Sequence, residues 1–188
     1  MHKIKIITST TREGRKGVII ANWITELVKG MADVEAELLD LAEINLPLMD
    51  EPNHPKMKQY KHPHTLAWSR KIEEADGFII VLAEYNYGFP APIKNALDYL
   101  FQEWQHKPVG FVSYGGASGG LRSTQMLKQV VTTLSMIPLV EQVALSFFTK
   151  YINEQSRFVA DATIEKAAGT MLSELHRWMT ILRPMRGA

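Results

Sequence analysis

Short apolar runs alternate with stretches of helical spacing along almost the whole chain. Lys3–Thr8 is a β-branched run carrying Ile4, Ile6 and Ile7. A small, polar and basic loop follows. Val18, Ile19, Ala21, Trp23, Ile24, Leu27 and Val28 then recur at helical spacing, and Gly30 supplies a stop. From Val34 to Leu41 the pattern alternates, which suits a strand buried mainly on one face. Thr65–Glu74 reads as a helix that breaks at Asp76-Gly77, and Phe78–Ala83 is continuously apolar, as in a strand covered on both faces. The spacing predicts a helix over Pro92–Phe101, a strand over Pro108–Ser113, a helix over Leu121–Leu134, a strand over Met136–Val143 and a long last helix over Phe158–Leu182. Ala144–Arg157 has no period. Ala42–His64 has none either and contains Pro47, Pro52, Pro55 and Pro63. A loop of that length inside a compact domain is usually functional or mobile.

Strands that alternate with helices imply a parallel sheet joined by right-handed crossovers. Five strands, each followed by a helix, fit an α/β, flavodoxin-like, doubly wound five-stranded parallel sheet of order 2-1-3-4-5 with helices on both faces. No repeat or linker divides the chain, so residues 1–188 read as a single domain. In this architecture ligands bind beyond the carboxyl ends of the strands, at the switch point between the first and third. That rule selects the loops after strands 1, 3 and 4.

Composition narrows the classes. Lys plus Arg is 21 and Asp plus Glu is 20, a formal charge of +1, which argues against a nucleic-acid binder with its clustered cations. Cysteine is absent, which excludes disulfides, thiolate nucleophiles, Fe–S clusters and Cys-based zinc sites. No apolar run approaches the roughly 20 residues that span a bilayer. Met1–Thr8 reads as a strand and lacks the apolar core of a signal peptide, so the expected address is the cytoplasm.

The three selected loops are also the least bland in the chain. The first, Ser9–Gly17, offers hydroxyls at Ser9, Thr10 and Thr11, cations at Arg12, Arg15 and Lys16, and glycines at 14 and 17, and it feeds a helix N-terminus. Such a terminus favours a phosphate, and arginine can fork two of its oxygens. The loop matches neither the Walker A nor the dinucleotide-binding pattern. A solvated turn is the bland alternative. The second loop, Glu84–Pro90, sets Tyr85, Asn86 and Tyr87 at the end of a buried strand; aromatic faces beside an amide suit a flat heteroaromatic ring. Phe89 reads as a core plug. The third, Ser113–Gly120, holds four glycines, more than one tight turn needs, which suits a main-chain wall against a planar or anionic group. A phosphate at the first loop and a flat ring between the other two describe FMN.

At these residues the chain resembles the NADPH-dependent FMN reductase family. Ser9-Thr10-Thr11-Arg12 stands where the family has G-S-x-R, with Ser9 in place of the glycine. Ala83-Glu84-Tyr85-Asn86, then Pro90 and Lys94-Asn95-Ala96-Leu97-Asp98, follows P-E-Y-N…K-N-A-[IL]-D, with Ala83 for proline. Ser113-Tyr114-Gly115-Gly116…Gly119-Gly120 follows S-x-G-G…G-G. The resemblance implies that Thr10, Arg12, Arg15 and Gly17 hold the FMN phosphate. It implies that Glu84, Tyr85, Asn86 and Tyr87 contact the ring and ribityl side, and that Tyr114, Gly115 and Gly116 line the pyrimidine end. Ser9, Val18 and Ser113 complete the candidate cofactor-binding set. Lys94, Asn95 and Asp98 read as packing, capping or subunit contacts.

The same resemblance implies NADPH or NADH as hydride donor and a small acceptor: a quinone, azo compound, metal oxyanion or free flavin. The flavin carries that chemistry, so no catalytic side chain is assigned. Pro47–His64 is expected to help form the acceptor pocket, and a homodimer or homotetramer is expected. A flavodoxin-type electron carrier is the alternative, disfavoured by the near-neutral charge. A phosphate-ester hydrolase would need a nucleophile that the first loop lacks. His54, His62 and His64 read as loop histidines facing water, since a zinc site needs three or four well-placed ligands.

Overall fold

Ile4 and Ile6 are buried under one face of the sheet and Ile7 under the other, because β1 (His2–Thr8) is covered on both sides. In this computed structural model, which describes residues 1–186, β1 pairs in parallel with β2 (Val34–Asp40) and β3 (Gly77–Ala83). β3 pairs with β4 (Pro108–Gly115), and β4 with β5 (Ile137–Ser146), giving the order β2-β1-β3-β4-β5. The flavodoxin-like topology expected from the pattern is the one observed. α1 (Gly17–Lys29) and α6 (Ala162–Leu182) cover one face through Ile20, Ile24, Met171 and Leu175. α3 (Pro63–Glu73), α4 (Ala91–Asp98) and α5 (Leu121–Thr133) cover the other through Trp68, Ile93, Leu97 and Leu127. α2 (Leu41–Ile44) is a single turn capped by Asp40. No helix among the described residues is long and apolar enough to cross a membrane.

Several boundaries move. β4 runs on through Ser113, Tyr114 and Gly115, which pair with Ala144, Leu145 and Ser146. The hydroxyl and glycine there look loop-like in sequence, but they have strand partners. β5 accordingly extends to Ser146 instead of ending at Val143. α4 stops at Asp98, short of Phe101, whose extended φ of −136° breaks the helix before a 3-10 turn at Gln102–Trp104. α6 starts at Ala162, where the Asp161 carboxylate accepts from the Ile164 N–H; Phe158 instead bridges to Ile152.

The Pro-rich segment is tied down along its length. Asn95 on α4 donates to the Pro47 carbonyl at 2.7 Å and accepts the Met49 N–H at 2.9 Å. The Tyr99 hydroxyl reaches the Pro47 carbonyl and the Asp50 carboxylate, and Gln102 donates to the Lys56 carbonyl. Glu51 accepts the N–H groups of Lys61 and His62. His64 and His62 do not simply face water: His64 Nε2 lies 2.9 Å from Asp50 Oδ1, and the His62 ring stacks on it.

At the opposite end of the sheet from the selected loops, Lys107 is 5% exposed and its ammonium donates to the carbonyls of Ile72 and Glu73, capping α3. Burial, with Arg186 nearby, pushes its pKa down to about 7. An unfolded lysine titrates near about 10.4. Folding therefore binds fewer protons at this site between those values, and stability falls as the pH is lowered from about 10 to about 7. Denaturant unfolding of Lys107→Met should show a flatter stability profile over that range than the parent chain.

A second expectation concerns the Pro-rich segment. Asn95→Ala removes two hydrogen bonds worth about 1 kcal/mol each. Amide exchange across residues 47–61 should accelerate while the sheet amides keep their protection; unchanged exchange would mean that other anchors hold the segment.

Candidate functional site

Three loops meet at the carboxyl ends of β1, β3 and β4. The first leads into α1 with no side chain capping the helix. The first N–H groups of a helix have no partner inside it, so this terminus presents donors and the positive end of the dipole. Arg12, Arg15 and Lys16 line a small cavity of about 80 Å³ beside it, together with Ala83, Glu84, Tyr85, Tyr114, Gly115 and Phe148.

Gly17 is required where it stands. A Cβ there would lie 2.5 Å from the Tyr114 hydroxyl and 3.1 Å from Thr10 Oγ1. The Tyr114 ring is buried, edge-on to Phe148 at 4.9 Å, and its hydroxyl sits 3.4 Å from Thr10 Oγ1. Burial pushes the phenol up to about 12, so it stays protonated and able to donate. The Tyr114 side chain thus belongs to the floor of the first loop, whereas the resemblance implied that it lines the far end of a ring.

The second loop is a tight hairpin. Tyr85 and Gly88 exchange both backbone hydrogen bonds at 2.9 Å, and Asn86 and Tyr87 adopt φ of 51° and 71°. That turn pushes Tyr85, Asn86 and Tyr87 into solvent. Arg12 Nε donates to the Tyr85 hydroxyl at 3.2 Å and links the first loop to the second. Glu84 links the second to the third: it accepts from the Arg122 N–H and guanidinium at 3.1 and 2.9 Å. Burial alone would raise the Glu84 carboxyl; hydrogen bonds from Ser118 and Arg122 outweigh it and hold the group below its usual range. The Arg122 guanidinium also stacks over the Tyr87 ring at 4.1 Å.

In the third loop, Gly119 and Gly120 serve the turn, with φ of 61° and 83°. Gly120 has no room for a Cβ, which would meet Tyr114 N at 2.7 Å. Gly116 is open, with nothing within 4 Å of its would-be Cβ.

Of the candidate residues, Arg12, Arg15, Glu84, Tyr85, Tyr114 and Gly115 line the cavity together. Asn86, Tyr87 and Gly116 are exposed beside it, while Thr10 is buried just past β1 and Gly17 and Val18 open α1. Ser9 and Ser113 are not part of the cavity lining. Both are fully buried and point inward: the Ser9 hydroxyl accepts the Ala83 N–H and ties β1 to β3, and that of Ser113 donates to the Gly119 carbonyl. Sequence reasoning missed Phe148, Arg122 and Asp40. Asp40 ends β2 and its Oδ2 lies 2.5 Å from Arg15 Nη2. A lone carboxylate at the carboxyl end of a strand in a doubly wound sheet was the available signal.

The chain matches the model of the NADPH-dependent FMN reductase family over residues 2–150. It is 43% identical over 136 residues to an NAD(P)H-dependent FMN reductase of Schizosaccharomyces pombe, covering 71% of this chain and 68% of that one. It is 28% identical over 169 residues to an NAD(P)H:quinone oxidoreductase of Solanum tuberosum, covering 86% and 82%. The solved structure of FerB, a flavoenzyme NAD(P)H:(acceptor) oxidoreductase from Paracoccus denitrificans, superposes with a TM-score of 0.77 at 16% identity, over 96% of this chain and 98% of that one, which speaks to the fold alone. The chain belongs to the NADPH-dependent FMN reductase family. It is an oxidoreductase whose cofactor is FMN and whose donor is NAD(P)H.

The residues present fit that cofactor. An uncapped helix terminus with two arginines at its mouth suits a phosphate. A cavity of about 80 Å³ admits a phosphate but no tricyclic ring, since pockets for whole ligands run to roughly 300–1,000 Å³. Flat groups have surface to lie on in the exposed hairpin and Gly116.

Gly17→Ala should weaken FMN binding at least about tenfold, because the new methyl displaces the Tyr114 hydroxyl from beneath the loop. Adding Tyr114→Phe removes the clashing oxygen and should restore part of the affinity in a fluorescence-quenching titration. A double variant no better than the single one would assign the loss to another contact.

Proposed function

We propose that the protein oxidises NAD(P)H and reduces a small acceptor, a quinone first among quinones, azo compounds, metal oxyanions and free flavin. The observation that carries this reading is the junction of the three loops: a phosphate-sized cavity walled by Arg12 and Arg15, opening onto the exposed Tyr85–Tyr87 hairpin. When bound, FMN supplies the hydride acceptance and the onward electron transfer. The chain's own residues bind and orient. We assign the phosphate to the α1 terminus, with charge-assisted hydrogen bonds from Arg12 and Arg15. Thr10, Gly17 and Tyr114 shape the floor of that cradle, and Val18 continues it into the helix. Glu84, fixed by Arg122, holds the hairpin at the ring side, where Tyr85, Asn86, Tyr87, Gly115 and Gly116 offer aromatic faces and main-chain groups.

A second cavity, of about 390 Å³, supports an acceptor site beside the first loop. It is lined by Thr11, by Leu41, Ala42 and Asn45 around α2, by Leu46 and Leu48 of the Pro-rich segment and by Ala91, Pro92 and Asn95 of α4. Thr11 and Arg12 are consecutive, so one loop borders both cavities. The lining is largely apolar, as suits a quinone ring, and the quinone oxidoreductase relative favours that class. We read residues 1–188 as one domain and the protein as a homo-oligomer. Leu48, Tyr87, Leu121 and Met126 are all exposed near the site loops, and a subunit contact would bury them.

The test is anaerobic addition of NADPH to the FMN-loaded protein. Bleaching of the visible flavin bands, reversed by a quinone, is the expected result. FMN bound but bleached by neither nicotinamide would make the protein an electron carrier, and no FMN binding would overturn the reading. Ala91→Trp, which fills the second cavity from an exposed position, should raise the KM for a quinone about tenfold or more, with a smaller effect on the KM for NADPH.

A further inference from the structure

Asp40 is a buried carboxylate within one ion pair of a site built for an anion. Its side chain is 3% exposed and its two oxygens have separate partners. Oδ1 accepts the Thr8 hydroxyl at 2.8 Å and the Ala42 N–H at 3.0 Å, which fixes the carboxylate against β1 and the start of α2. Oδ2 faces Arg15 Nη2 at 2.5 Å. The Arg15 side chain makes no other hydrogen bond among the described residues, and its buried Nε has no partner. The guanidinium is therefore held by one nitrogen, from behind, with its remaining donors uncommitted in the residue that lines the cavity.

A negative charge beside an anion site repels the ligand unless it has a compensating effect. A flexible arginine loses rotamer freedom when it binds, and holding it in place beforehand removes that cost from the binding step. We propose that Asp40 is the positioning residue of the phosphate cradle, which fixes the Arg15 guanidinium for the 5′-phosphate of FMN before the cofactor arrives. This rests on the flavin reading above. Burial alone would raise the Asp40 carboxyl; Arg15, the Ala42 N–H and the Thr8 hydroxyl outweigh it and hold the group ionised, as the role requires.

The test compares FMN with riboflavin, which lacks the phosphate. Asp40→Asn keeps an oxygen for Thr8 and Ala42 and removes the acceptor that faces Arg15. FMN affinity should fall about tenfold, as for loss of a group that orients a ligand-binding side chain, while riboflavin affinity stays unchanged. FMN and riboflavin weakening in parallel would mean that Asp40 serves the fold alone. An unchanged ratio of the two affinities in the variant, with the parent preferring FMN, would overturn the assignment and leave the flavin reading intact. A parent chain that binds no FMN would overturn both. Arg15→Ala provides the second arm: adding Asp40→Asn to it should bring no further loss of FMN affinity, because the carboxylate then has no guanidinium to place. A further loss in that background would show that Asp40 acts by another route and would overturn the proposal.

Discussion

The burial of β1 on both faces and both edges is the constraint from which the site follows. A strand in that position must pass its backbone bonds to β2 on one side and β3 on the other. The chain leaves β1 to one face of the sheet through α1 and returns from β3 on the other face through α4. The two departures open a crevice at the carboxyl end of β1, where no side chain caps the start of α1. Polar side chains gather at that end. Thr8, Ser9 and Thr10 follow one another there, and each hydroxyl meets a different neighbour: Asp40, the Ala83 N–H and the Tyr114 hydroxyl.

Each loop is joined to the next by one charged side chain. Arg12 reaches from the first to Tyr85 of the second, and Glu84 reaches from the second to Arg122 beyond the third. Asp40 does the same between β2 and the first loop. The ties differ in kind: a neutral hydroxyl takes the Arg12 bond, while Glu84 and Asp40 are buried carboxylates paired with partly exposed arginines. Their value lies in geometry. A cradle for phosphate works when its donors already point to one place, and loops without such ties would have to be ordered at each binding event.

The Pro-rich segment shows how a stretch without periodicity can still be well defined. Its carbonyls and N–H groups find side chains on α4 and the residues that follow it instead of strand or helix partners. Prolines suit this arrangement, because they fix φ and remove donors that would otherwise go unsatisfied. The segment thereby becomes a wall beside the first loop, with Leu46 and Leu48 turned to the cavity it shares with α4.

The alternation of β-branched runs with helical spacing determined a parallel sheet with right-handed crossovers, and five strands fitted the flavodoxin-like order among the doubly wound ones. Arg12, Arg15, Glu84 and Tyr85 were legible for a related reason: the fold assigns the loops after strands 1 and 3 to ligands, and those residue types are out of place as plain turns. What the sequence could not determine was which polar groups face the ligand and which face the protein. Ser9 and Ser113 read as candidate ligand hydroxyls, yet both are buried: Ser113 is paired with β3 and β5 on its two sides, and Ser9, just past β1, bonds to Val81 and Ala83 of β3. Tyr114 reads as part of a glycine-rich wall, yet the missing Cβ of Gly17 lets its hydroxyl slide beneath α1. Asp40 lies 25 residues from Arg15 along the chain, and only the parallel pairing of β1 with β2 brings the two together. Periodicity is a local property carried by each element on its own, so one chain of letters contains it. The direction of a polar side chain depends on neighbours distant in sequence, and the tertiary structure alone supplies them.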